Sequence, residues 1–402
     1  MKPGRIYARL VTTSYLGVLA IILVAGLWPF HAPRNNVTWL AEGNGIRFGH
    51  HGTLLSAGKF PRDLTANSSG SIEMWLSPDL AARRKTILTF DGPAHPGEPF
   101  SLQQDEDALE IRRHNIDSAG VARTAVCEAG GIFRKGKAVF IAVTLSAHQT
   151  VVYVDGVRAK TCAIAGASAD NLSGTVVLAN SALVNNSWPG TILGLALYGR
   201  QLKPDEAAQD YESWTKIGKP ALAETESPLA LYRFDEHSGA VAHNQLNAAT
   251  DLRIPKHYLV LHPAFLELPW REYRPRWSYW ADVGVNVAGF VPWGFCVAAY
   301  FYSVKKIARP GVTIVLLGFA ASFTIEVLQF WLPTRSSGTT DLITNTLGTV
   351  LGLMLYRWSF TQYLLAGVMA HYGVHNGDRD QAGGLDRRAW DHEAEPAVAR
   401  HS

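Results

Sequence analysis

Hydrophobic positions follow two regimes along this chain. In Leu10–Trp28, Trp280–Tyr302, Val312–Trp331 and Asp341–Trp358 they run nearly unbroken over lengths that cross a bilayer as helix. Between Ile46 and about Leu252 they come in short runs broken by Gly, Pro, Asn and Asp: Ser71–Leu76, Thr86–Phe90, Ala108–Arg112, Ala138–Leu145, Thr150–Val154 and Thr175–Leu178. The run Val151–Val154 meets Asp155-Gly156, a pair suited to a tight hairpin. One helix is expected there, opened by Pro204, Asp205 and Glu206 and reaching about Trp214. The pattern predicts a multi-domain protein, with an all-β antiparallel sandwich and an α-helical transmembrane bundle of about four spans.

Polar residues inside the last three apolar stretches are not scattered. Asp282, Asn286, Gly289 and Trp293 form one stripe; Ser322, Glu326 and Gln329 form another; Asp341, Asn345, Gly348 and Gly352 form a third. At about 100° per residue these spacings fall on one helix face each. Ionisable groups are costly in hydrocarbon and face a bundle interior, so the stripes point to one shared polar site. Arg335, in the loop Pro333–Thr340, belongs with them.

Positive charge orients the spans. Lys2, Arg5 and Arg9 precede the first, Lys305, Lys306 and Arg309 follow the second, and Arg357 ends the fourth. All fall on one side if the chain starts in the cytoplasm, which places His31–Tyr279 outside. The first apolar run exceeds the roughly 7–15 residues of a signal-peptide core, and bulky Trp28, Pro29 and Phe30 follow it, so an uncleaved anchor is expected. The polar stripes then share the outer end of the bundle. Cys296 reads as a packing residue, while a Cys127–Cys162 disulfide is permitted outside but not established by spacing.

Bulk composition averages these regimes away: 47% hydrophobic, 18% charged and net +3 would suit a soluble protein. No Lys/Arg cluster interleaved with aromatics marks a nucleic-acid surface, and no nucleic-acid partner is expected. The run Pro269–Trp280 carries Trp270, Trp277, Trp280, Tyr273 and Tyr279 beside Arg271, Arg274 and Arg276. It reads as an interfacial collar or as part of a lipid-headgroup site.

Several strands resemble laminin-G-like, concanavalin A-type jelly rolls: Gly70–Leu76, Ala142–Thr144 leading to Val152–Gly156, and Gly190–Ile192 through Leu197–Leu202 with Glu206 and Tyr211. Leu231–Gly239 resembles a strand that opens such domains, here either permuted or a closing strand. The resemblance implies a module that binds sugars or proteins; some members hydrolyse glycans, but no strand here carries the paired carboxylates that needs. Gln104–Asp107 reads as a solvated turn, with calcium as the alternative; no other cofactor and no metal site is expected, and His50-His51 reads as a surface pair. Asn36, Asn67, Asn171 and Asn185 head glycosylation-type triplets.

The stripes carry a second resemblance. Asp282, Asn286, Pro292 and Gly294, then Ser322, Glu326, Gln329, Arg335, Asp341, Asn345, Gly348 and Gly352, are similar in order and spacing to the VanZ-like family over Leu266–Trp358. This implies a bacterial inner-membrane protein of the cell envelope, with some relatives tied to low-level glycopeptide (teicoplanin) resistance. The β-sandwich then looks like an insertion after the first helix. The expected organisation is an N-terminal anchor (1–32), an extracytoplasmic jelly roll (33–257), an interfacial linker (258–281), the VanZ-like domain (282–360) and a largely disordered cytoplasmic tail (361–402).

The favoured reading is an envelope factor whose jelly roll binds an extracytoplasmic glycan or protein. Its polar site engages membrane lipid headgroups or a lipid-linked precursor, with Arg335 pairing an anionic group. The alternative is an enzyme acting on a lipid-linked substrate, with Glu326 as general base and Arg335 stabilising charge. No Ser/His/Asp, Cys/His or metal constellation accompanies it, and whether a reaction is catalysed stays open. A transporter would need an internal repeat that four spans do not show.

Overall fold

The computed structural model describes residues 3–61, 69–92, 98–116, 122–163, 172–218, 220, 228–273, 275–305 and 307–371. Asn67, Asn171, Arg274, Lys306 and the expected tail from 372 lie outside them. The chain divides into two compact units. One holds Leu27–Glu267 and Val327–Ser337; the other holds the segment before Leu27, Leu268–Glu326 and the chain from Gly338 onward.

The first unit is a two-sheet antiparallel sandwich. Its strands are β1 (Val37–Trp39), β2 (Ile46–Phe48), β3 (Leu54–Ser56), β4 (Gly70–Pro78), β5 (Ala82–Asp91), β6 (Phe100–Glu106), β7 (Ala108–Ile116) and β8 (Ala122–Ala129). They continue with β9 (Val139–Leu145), β10 (Gln149–Val154), β11 (Val157–Ala163), β12 (Thr175–Leu178), β13 (Gly190–Tyr198), β14 (Pro228–Tyr232), β15 (Val241–Ala242) and β16 (Leu252–Arg253). One sheet runs β1-β2-β13-β4-β9-β10-β11, the other β15-β16-β3-β12-β5-β6-β7-β8. Ile72, Met74, Leu76, Leu195 and Leu197 of the first sheet pack against Leu88, Phe90, Phe100, Leu102 and Val176 of the second. Alternation along each strand supplies this inner face.

The segment resembling an opening strand is a closing one. β14 pairs with β13 through Leu195–Tyr198, while β2 pairs with the same strand through Gly190–Ile192. The expected hairpin forms between β10 and β11, with Asp155 and Gly156 both at positive φ (48° and 78°). Cys127 on β8 and Cys162 on β11 are bonded to each other, joining the edge strands of opposite sheets. In the acidic turn, Asp105 and Glu106 are ion-paired with Arg84 and Arg83.

The helix α2 (Pro204–Ile217) covers the outer face of the first sheet, with Ala207 and Trp214 packed on Phe140, Tyr153 and Tyr198. Glu206 accepts from the Lys203 amide and from Arg200, closing the helix start. Gly218, at φ 74°, ends it.

The second unit is helical: α1 (Pro3–Leu27), α3 (Pro269–Glu272), α4 (Trp277–Ala299, running on as a π turn through Val304), α5 (Pro310–Phe330), α6 (Thr339–Arg357) and α7 (Ser359–His371). The last residues of α1 and α5 belong to the sandwich unit. Among the described residues three helices are long and apolar enough to cross a membrane: Arg5–Leu27, Trp277–Val304 and Pro310–Phe330. The expected fourth, α6, has the length but not the apolarity, because Thr339, Thr340, Asp341, Thr344, Asn345, Thr346 and Thr349 crowd its sequence. Thr344, Thr346 and Thr349 turn their hydroxyls back onto carbonyls four residues earlier. Such a helix depends on protein neighbours rather than lipid.

Those neighbours come within backbone contact. A Cβ at Gly348 would lie 2.3 Å from the Val287 carbonyl oxygen, and one at Gly352 would lie 2.1 Å from that of Val291. From the α4 side, a Cβ at Gly294 would lie 2.2 Å from the Thr349 carbonyl oxygen. The small-x-x-x-small spacing of Gly348 and Gly352 therefore lets α6 lie parallel against α4. Gly318 does the same for α5, where a Cβ would meet the Thr349 hydroxyl at 2.3 Å. Tyr15 of α1 packs edge-on against Trp293.

Candidate functional site

The stripes on α4, α5 and α6 meet. Asn286 donates its side-chain amide to Asp341 at 2.7 Å, joining α4 to α6. Asn345, one turn further along α6, donates to the Ser322 hydroxyl at 3.0 Å, joining α6 to α5. Ser322 and Asn345 are buried, Asn286 and Asp341 are partly buried, and Asp282 is exposed at the head of its stripe. Six of the eight residues expected at a shared site, namely Asp282, Asn286, Ser322, Glu326, Asp341 and Asn345, thus lie in the helical unit.

Glu326 has a definite local task. Its side chain is 1% exposed and Oε2 accepts the Gly338 amide at 2.8 Å, where Gly338 is the N-cap of α6. A second carboxylate works beside it: Glu272 Oε2 accepts the Thr340 amide at 3.2 Å. The first amides of a helix have no intrahelical partner and carry partial positive charge, so two carboxylates satisfy and neutralise them. A Cβ at Gly338 would lie 1.9 Å from Glu272 Oε1, so a larger residue there would displace that carboxylate.

Gln329 and Arg335 belong to the other unit. Gln329 is buried and its carbonyl accepts the Leu332 amide. Arg335 donates Nε and Nη2 to the Trp28 carbonyl at 3.1 and 2.7 Å. Gln329 stands on α5 three residues after Glu326, as the helical spacing has it, and Arg335 lies in the loop that follows.

Sequence reasoning passed over Glu272. It stands on the four-residue helix α3, within the aromatic, Arg-rich collar, and no stripe of its own marks it. The collar itself exposes Trp270, Trp277 and Trp280, and Tyr273, Tyr279 and Trp280 stack edge to face. Among the described residues no group of three His, Cys, Asp or Glu side chains is arranged to hold a metal ion.

Comparison with known proteins fits both halves. Residues 232–361 match the VanZ/LLP1 family model, and residues 52–208 match the model of the concanavalin A-like lectin/glucanases superfamily. The VanZ/LLP1 match starts well before Leu266, where the resemblance was expected to begin. One membrane protein thus carries a segment similar to the VanZ/LLP1 family and a domain similar to the concanavalin A-like superfamily. Protein VanZ of Enterococcus faecium is 35% identical over 74 residues, 18% of this chain. The matched stretch spans 43% of that relative's length.

Two solved structures resemble the chain at low identity. A putative carbohydrate binding protein from Bacteroides ovatus is 13% identical with a TM-score of 0.37, covering 57% of this chain and 62% of that one. The Ruminococcus gnavus IT-sialidase CBM40, bound to α2,3-sialyllactose, is 15% identical with a TM-score of 0.32, covering 41% and 95%.

Proposed function

We propose that the protein is a multi-pass cell-envelope factor of the bacterial cytoplasmic membrane, with its sandwich outside. In this reading the polar cluster of the bundle engages the headgroup of an amphiphile in the outer leaflet. The observation that carries it is the meeting of Asn286 with Asp341 and of Asn345 with Ser322 across three helices. Interhelical polar bonds in membranes are worth only about 0.6 kcal/mol on average, a weak return for burying so many polar groups as helix glue alone. The concanavalin A-like domain would bind a glycan or protein of the envelope, a role taken from the superfamily it matches. A part in glycopeptide resistance follows from the likeness to VanZ and stands or falls with it.

The orientation rests on the basic residues Arg5, Arg9, Lys305, Arg309 and Arg357, which group on one side. Cysteines introduced at the exposed positions Asn185 and Ser336 should react with an impermeant thiol reagent in intact cells. One at Lys305 should react only after permeabilisation. Labelling confined to Lys305 would reverse the orientation and move the cluster to the inner leaflet. For the cluster itself, a deletion strain should differ from its parent in extractable envelope lipids or precursors, and Asn286→Ala at normal abundance should fail to restore the parental profile.

A further inference from the structure

Three acids stand together at the start of α6. Asp341 has Glu272 and Asp282 as electrostatic neighbours, and its side-chain partner is the neutral Asn286. Glu272 is bonded to a backbone amide, and Asp282 is exposed with no hydrogen bond among the described residues. Among the described residues no Lys, Arg or His side chain pairs with any of these three acids. The helix start accounts for one or two negative charges; Glu326 and Glu272 already serve it directly. Asp282 and Asp341 are left over.

Deeper on the same faces, two polar atoms lack partners. Asn345 is 5% exposed and, with its amide nitrogen on Ser322, leaves Oδ1 buried without a hydrogen bond. Trp293, also 5% exposed, leaves its indole N–H unmade. A buried polar atom without a partner costs about 1–3 kcal/mol, so each marks a place where a ligand's group would be favoured. Because α4 and α6 run parallel, both lie inward of the Asn286–Asp341 bond, Trp293 by seven residues or about 10 Å. Between them Gly289 is exposed, with no atom within 4 Å of where a Cβ would stand, so the stripe is uncovered at that point.

We propose that this end of the bundle receives the protonated primary amine of an amphiphile. The ammonium sits among Asp282, Asp341 and Glu272, with Asn345 Oδ1 as a neutral acceptor, and a carbonyl of the ligand's body accepts from Trp293. The inference rests on the headgroup reading above and changes its sign: the favoured headgroup carries an ammonium, where Arg335 had suggested an anion. A primary ammonium has three donors for these acceptors, whereas a trimethylated one has none.

The test uses the full chain purified in a neutral maltoside detergent, with its melting midpoint followed against short-chain phosphatidylethanolamine, phosphatidylcholine and phosphatidylglycerol. The ethanolamine lipid should raise the midpoint saturably and the other two should not. Glycerophosphoethanolamine, which lacks acyl chains, should bind at least about tenfold more weakly if the amine is read as part of a lipid. Asp282→Asn is exposed and should fold normally, yet weaken the ethanolamine lipid about tenfold, as expected for one charge-assisted hydrogen bond. Equal or greater stabilisation by phosphatidylglycerol, or by magnesium ions alone, would overturn the ammonium assignment while leaving a headgroup site in place. Unchanged affinity in both Asp282→Asn and Asp341→Asn would overturn it too. No shift with any of the three lipids would bring down the headgroup reading itself.

Discussion

The sandwich and the helical unit are built from similar residues turned in opposite directions. In the sandwich, Phe48, Phe90, Phe100 and Trp188 are fully enclosed, and charged side chains such as Arg47, Arg83 and Lys216 stand in solvent. In the helical unit, Val285, Val312, Leu316 and Ile343 face outward while Ser322, Glu326, Asn345 and Thr349 are buried. Water drives the first arrangement by expelling apolar surface. Lipid offers no such drive between helices, so close backbone approach and polar bonds hold the second together. A hydrophobic surface that would signal aggregation on a soluble domain is here the face presented to the bilayer.

The contrast predicts where each unit breaks. The largest effect should come from Gly352→Leu in the bundle, because even a Cβ there overlaps the Val291 carbonyl. Overpacking typically costs about 1–3 kcal/mol, and with backbone on the far side the upper end or more is expected. Membrane abundance and the melting midpoint should both drop sharply, whereas Gly289→Leu, with open space around it, should leave both near normal.

For the sandwich the corresponding lesion is covalent. Replacing Cys127 and Cys162 together by Ser frees two edge strands and opens a loop with a sequence separation of 35 residues. The expected loss is about 3–4 kcal/mol. Unfolding with and without reductant measures it: reductant should lower the midpoint of the parent and leave the double variant unmoved.

A smaller effect is expected at Glu326. Glu326→Gln keeps an oxygen to accept the Gly338 amide but loses the charge that complements the start of α6. A loss of about 0.3–1 kcal/mol is expected for that charge, up to about 2 kcal/mol where it is buried. Glu326→Leu should cost more, since it orphans the amide. If Gln behaved like Leu, the charge rather than the cap would be the essential feature, and an active role for Glu326 would regain ground.

The smallest effect is one of pH and belongs to the sandwich. Burial raises the Glu98 pKa above its ordinary value, against the opposing pull of Ser181 and the Ala182 amide, 2.7 Å away. The folded state therefore holds this proton more tightly than the unfolded state. The associated stability is complete below the unfolded value and is lost as pH rises through the folded one. Glu98→Gln should raise the melting midpoint near neutral pH and leave it unchanged near pH 4; a gain at both would assign it to packing instead.

Much of this was legible in the sequence. Strand Thr175–Leu178 and the Asp155-Gly156 hairpin were readable because turn chemistry and period-two alternation are local. The polar stripes were readable because helical spacing is also local; which residues pair across the helices, Asn286 with Asp341 and Asn345 with Ser322, was not. Helical spacing says which face a residue occupies, but not what stands opposite it.

Everything that depended on a distant partner waited for the tertiary structure. Glu272 joined the site only because α3 lies against the start of α6, and the hold of Arg335 on the Trp28 carbonyl joins residues 307 positions apart. The bond between Cys127 and Cys162 depended on two sheets bringing their edges together, and the unmade atoms of Asn345 and Trp293 on what three helices left between them. Sequence alone determined the elements, their faces and the two kinds of solvent they were built for. The fold decided which charges share a site, because that depends on contacts between residues far apart along the chain.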